Sequence, residues 1–176
     1  GTVALNISQV SAGGTFRVRI NNTVNAINDP ALGLVNLPAG PYLQLAGAGA
    51  YLDILGQRLS GDFVIEKTTT AANVSVLRVG IANGGFSLGD GSTSLVNVTN
   101  VSGSFLLTSA GLAGRLNATV STAAALGATF TGTFTLGINT TTTAVSETMA
   151  VGGTNVTLNL PAGPYLRVEG TNILLS

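Results

Sequence analysis

Apolar and polar residues alternate along most of this chain. The pattern is plain at Val3/Leu5/Ile7, Leu43/Leu45, Val96/Val98, Phe134/Leu136/Ile138 and Val156/Leu158/Leu160. A period of two is that of a strand with unlike faces. Helix signals are scarce: Thr, Val, Gly and Asn are poor helix formers, and the Ala-rich stretch at Ala123–Leu126 is too short. Turn chemistry punctuates the alternation at Asp90-Gly91, Gly152-Gly153, Ser109-Ala110-Gly111 and Asn139–Thr142. These signals predict an all-β chain with no significant helix.

A short unit recurs within the pattern. Residues 76–90 align with 95–109 at an offset of 19, and the shared kernel is apolar-x-Gly-x-Phe-x-apolar. The kernel places Gly14 with Phe16, Gly61 with Phe63, Gly84 with Phe86, Gly103 with Phe105 and Gly132 with Phe134. Five of the six phenylalanines hold this position, and the sixth, Phe130, opens a kernel. In two copies the alternation slips: Val79/Ile81 hold one phase and Ala82/Gly84/Phe86/Leu88 the other, as do Val96/Val98 and Val101/Gly103/Phe105/Leu107. A slip of one swaps the inward face, so a bulge or a bend between sheets is expected there, with the Gly making room and the Phe filling the core.

A longer repeat lies above the short one. Residues 14–23 resemble 132–141 at an offset of 118, and 34–47 resemble 157–170 at an offset of 123. The second pair carries the heptapeptide LPAGPYL twice, with Pro38 and Pro41 in one copy and Pro161 and Pro164 in the other. Its prolines impose extended geometry and remove backbone donors, so the motif is expected to be a rigid corner with its Tyr packed on the neighbouring unit. The chain is then one continuous β-repeat segment. Residues 1–55 and 114–176 are equivalent parts of successive repeats, 56–113 lie between, and both heptapeptides should adopt one conformation.

Tandem repetition of a 19-residue unit first suggests an elongated β-solenoid. The alternative is a bent antiparallel meander. It has local support in residues 51–66: a turn at Gly56-Gln57 would put Leu52, Ile54, Leu59, Phe63 and Ile65 on one face and Tyr51, Asp53, Ser60, Asp62 and Glu66 on the other.

Composition narrows the chemistry. Charged residues are only 8% and net charge is zero, so there is no basic footprint for nucleic acid. No apolar run is long enough for a spanning helix. His and Cys are absent, which removes Ser-His and Cys-His nucleophiles, disulfides and thiolate metal sites. No cofactor is expected. Among the seven acids, Asp62 and Glu66 share a face with Arg58 and Asp53, either as an acid/base or sugar site or as a solvated face with modest ion pairing. Asp90, in a Gly-rich nonapeptide, is the one calcium candidate and is read as a turn residue, because a site needs several oxygen ligands. Sequons stand at Asn6, Asn21, Asn73, Asn97, Asn100, Asn117, Asn139 and Asn155. They are read first as the Asn/Thr alternation of strands and second as glycosylation sites.

LPAGPYL, followed by LSGDF and Gly-x-Phe strands, resembles the tandem β-rich repeats of very large secreted bacterial surface and adhesin-like proteins. The resemblance implies an extracellular or cell-surface setting and carries over no catalytic residue. The expected function is a structural repeat segment of an extracellular fibre, adhesin or matrix protein, not an enzyme, whose partner is itself. A second expectation is a carbohydrate- or surface-binding module using exposed Tyr42, Tyr51 and Tyr165, with glycans as partners. A third is a polysaccharide-cleaving enzyme around Asp53, Asp62 and Glu66.

Overall fold

The computed structural model describes residues 1–7, 10–32, 34–55, 57–69, 74–89 and 93–176. Thirteen strands are formed: β1 (Thr2–Ile7), β2 (Val10–Asn21), β3 (Ile27–Asp29), β4 (Leu34–Leu37), β5 (Tyr42–Ile54), β6 (Gln57–Thr69), β7 (Ser75–Gly89), β8 (Ser94–Thr108), β9 (Gly111–Thr122), β10 (Phe130–Asn139), β11 (Val145–Val151), β12 (Thr154–Leu160) and β13 (Tyr165–Leu175). Two 3-10 turns, Pro30–Leu32 and Ala124–Leu126, are the only helical elements among the described residues. The all-β expectation holds.

Nine strands form one open sheet in the order β1-β2-β5-β6-β7-β8-β9-β10-β13. Every ladder among the described residues is antiparallel, so they form the meander and not the parallel stack placed first. The physical reason is that each kernel sits near mid-strand. A mid-strand motif lines up with its counterpart in a reversed neighbour, so an offset of 19 arises without parallel coils. Ile54 pairs with Gln57, which moves the β5–β6 turn back one residue from Gly56-Gln57 but keeps the expected sorting of faces.

The phase slip has a different outcome from the one expected. Register shifts fall at Gly13/Thr15, Gly47/Ala50, Ser60/Asp62, Ile81/Gly84 and Thr99/Ser102, in line across the sheet. Gly49, Asn83 and Asn100 occupy the bulges with φ of 56°, 51° and 54°. Each bulge adds one residue, and one added residue cancels a slip of one. Ile81 pairs with Phe63 and Phe86 with Leu59, and those two partners share a face of unbulged β6. Leu77, Val79, Ile81, Gly84, Phe86 and Leu88 therefore all point to one side of the sheet. No strand crosses to a second sheet.

Two excursions leave this sheet, β3–β4 between β2 and β5, and β11–β12 between β10 and β13. The second is a regular hairpin turning at Gly152-Gly153, with φ of 54° and 84°. It lies across β6–β9 and builds the core. Val151 and Val156 pack with Val64 and Ala82, and Val145, Leu158 and Leu160 pack with Ala113. The opposite face of the sheet has no such cover.

Candidate functional site

The two heptapeptides form the same joint. At the end of β2, Asn21 Nδ2 donates to the carbonyls of Asn25 (2.8 Å) and Pro38 (2.7 Å). At the end of β10, Asn139 Nδ2 donates to the carbonyls of Thr143 (2.9 Å) and Pro161 (2.7 Å). The Asn21 Oδ1 accepts from the Thr23 N–H (2.9 Å) and hydroxyl (2.8 Å), and Asn139 Oδ1 accepts from the Thr141 N–H and hydroxyl at the same two distances. Gly40 N–H reaches the Thr23 carbonyl and Gly163 N–H the Thr141 carbonyl, both at 2.7 Å. Gly40-Pro41 and Gly163-Pro164 are both cis. A Cβ at Gly40 would overlap the Asn21 carbonyl, and one at Gly163 the Asn139 carbonyl, so each close approach requires glycine. Both copies of the motif thus share one conformation.

The sequence reading missed the two asparagines. Asn21 and Asn139 are buried at 2% and 0% exposure with all amide capacity used, so these two sequons are keystones of a turn. The available signal was Asn-x-Thr ending a β-pattern shortly before each LPAGPYL.

The tyrosines differ from one another. Tyr42 is 3% exposed and not an exposed platform: its hydroxyl donates to Glu66 Oε2 at 2.9 Å. Burial, and then that bond, push its phenol well above the usual tyrosine range. Tyr165 is half-buried beside Leu160, its ring over Gly137. Tyr51 is half-buried, with the Arg58 guanidinium 4.6 Å from its ring centroid.

The acids share a face but have separate tasks. Asp53 accepts from Ser11 (3.2 Å) and lies 3.5 Å from Arg58. Asp62 accepts from the Gly49 N–H and the Asn83 side chain, both at 2.7 Å, and so clamps the bulges of the two flanking strands. Glu66 takes Tyr42, Gln44 (3.3 Å) and Arg78 (3.6 Å). Arg78 in turn holds Glu147 of β11 through Nε (2.8 Å) and Nη2 (3.2 Å), a bidentate latch between hairpin and sheet. That bond is the leading cause raising the Arg78 pKa. All three carboxylates are engaged by the chain's own donors. Asp90 and Asn73 lie outside the described residues, and among the described residues no three acidic groups converge as metal ligands.

The kernel phenylalanines cover cross-strand glycines and do not fill the core. Phe63 lies over Gly47 and Phe105 over Gly114, each so close that a Cβ there would enter the ring, and Phe134 lies against Gly170. Phe16 and Phe63 meet at 6.1 Å across Gly47. Kernel Gly14 and Gly61 have φ of 149° and 156°, which glycine tolerates and other residues rarely adopt. A Cβ at Gly84 would crowd Val101, and one at Gly103 the Leu116 backbone. Gly132 is buried between Phe134 and Ile173.

These side chains belong to the uncovered face. Its rows run strand to strand with few interruptions. One is Val18, Leu45, Ile65, Val79, Phe105, Gly114, Ile138, Leu166; the next is Phe16, Gly47, Phe63, Ile81, Gly103, Leu116, Leu136, Val168. Of the buried apolar residues only Val98 lies on this face, whereas Val18, Ile20, Ile65, Leu107, Leu166 and Val168 are all exposed. It is an interaction surface by its chemistry, not a reaction centre.

No known protein family, curated protein or solved structure matches this chain. No helix among the described residues is long and apolar enough to cross a membrane.

Proposed function

We propose that the chain is a structural repeat segment of an extracellular fibre, adhesin or matrix protein. The observation that carries this reading is the duplicated joint, whose hydrogen bonds agree to within 0.1 Å between Asn21 and Asn139. The strands around it repeat too. Thr2 pairs with Thr15 as Thr119 pairs with Thr133, and Ile27 pairs with Leu37 as Val145 pairs with Leu160. On this reading β1, β2, β3–β4 and β5 are one module's opening, and β9, β10, β11–β12 and β13 are the next module's. Residues 1–55 and 114–176 are then equivalent, and β6–β8 complete the module between them.

An open sheet suits such a role because each module adds strands to the last without closing a barrel. Low charge suits it as well, since like charges would stack along the array. Electron micrographs of the native material test the reading. Long uniform filaments are expected; compact monodisperse particles would overturn it.

A further inference from the structure

The face opposite the hairpins lacks a partner in this chain. Both hairpins leave the sheet on the side of Asn21, Tyr42, Asn139 and Tyr165, which pair in register on one face. Eight strands, β2, β5–β10 and β13, present the other face. At about 4.8 Å between strands and about 3.3 Å per residue it spans on the order of 1,100 Å². The largest apolar patch on a typical monomer is about 300–600 Å², and a stable protein interface needs about 800 Å² per partner.

We propose that two copies of this chain pack through this face into a two-sheet sandwich. The face is suited to another like itself. Lys67 is the one charged residue among its rows, at the end of β6, so two such faces meet without burying opposed charges. Phenylalanine rings over Gly47 and Gly114 fill the hollows those residues would leave, giving a surface that packs at the ~10 Å spacing of paired sheets. A bilayer is a poorer occupant, because surfaces that lie on membranes ring their apolar patch with Lys, Arg and Trp. This chain has no Trp, and the rows carry that single lysine. The inference rests on the face alone and holds or fails independently of the fibre reading.

Analytical ultracentrifugation of the whole chain tests it. The wild type should sediment as a dimer at micromolar concentration. Ile65→Lys places an ammonium mid-row at a position 38% exposed in the single chain, so the fold should tolerate it. It should weaken dimerisation about a hundredfold or more, because the charge would be buried unpaired. Thr148→Lys, on the exposed side of β11, should leave the dimer intact. If Ile65→Lys fails to fold, a second readout remains, since the chain has no cysteine of its own. A nitroxide on Val18→Cys should be immobilised in the dimer and freed on dilution, whereas one on Thr148→Cys should stay mobile at all concentrations. The proposal is overturned by a wild type that is monomeric throughout, by association that persists in Ile65→Lys, by a Val18 label that dilution does not change, or by a monomer that instead co-sediments with phosphatidylcholine vesicles.

Discussion

The joint at residues 21–42 and the joint at residues 139–165 have the same hydrogen bonds, yet they launch different hairpins. From Asn139 the chain makes two seven-residue strands that lie over β6–β9 and bury Val151, Leu158 and Leu160. From Asn21 it makes strands of three and four residues, joined through a 3-10 turn, that cover none of the sheet. The difference separates two kinds of specification. The joint is local: an Asn, a Thr two residues on, and a Pro-Ala-Gly-Pro corner satisfy one another wherever they occur. The cover is tertiary, and depends on a sheet being present under the hairpin.

Substitutions at matched positions can break or sharpen this contrast. The largest effect is expected from Gly40→Ala and Gly163→Ala, whose Cβ would meet a fixed carbonyl. Each should cost about 4 kcal/mol or prevent folding, and equal losses in denaturant melts would support a shared joint. Leu37→Ala and Leu160→Ala remove equally buried side chains and should each cost about 3 kcal/mol. Their neighbours should diverge. Val145→Ala should cost about 2 kcal/mol, because Val145 packs beneath the hairpin, and Ile27→Ala, half-buried, about 1 kcal/mol. Equal costs for that second pair would contradict the contrast between hairpins. Glu147→Gln should remove about 1 kcal/mol by weakening the partly exposed latch to Arg78, which keeps Glu66.

The smallest effect is a pH dependence. The Tyr42 phenol is raised in the folded chain by burial and by Glu66, so the folded state keeps a proton that the unfolded state loses from about pH 10. Its contribution is intact below pH 10 and is lost as pH rises above it. Tyr42→Phe should flatten that part of the stability profile. Tyr165 has no Glu66 opposite it, so Tyr165→Phe should leave the profile unchanged.

How much of this was legible in the sequence follows the same division. The alternation, the kernels and the repeated heptapeptide specify strands and a recurring corner, because those are local steric and hydrogen-bonding matters. The pairing direction was not legible, since motifs at mid-strand align with their counterparts in parallel and antiparallel neighbours alike. The fate of the phase slip was not either. Bend and bulge leave the same trace in sequence, and only the pairing of Phe63 with Ile81 and Leu59 with Phe86 distinguishes them. Asp62 and Glu66 looked like one acidic cluster at four-residue spacing. In the fold one clamps bulges and the other meets a tyrosine and an arginine, and those partners come from other strands. The buried roles of Asn21 and Asn139 were masked by their sequon context.

The tandem reading has a dimension of its own. From β2 to its counterpart β10 the sheet advances six strand spacings, or about 29 Å at ~4.8 Å each. Diffraction from oriented native material tests this most directly. The account predicts a meridional spacing near 4.8 Å together with a longer axial repeat of about 29 Å. An axial repeat unrelated to 29 Å, or none, would contradict it.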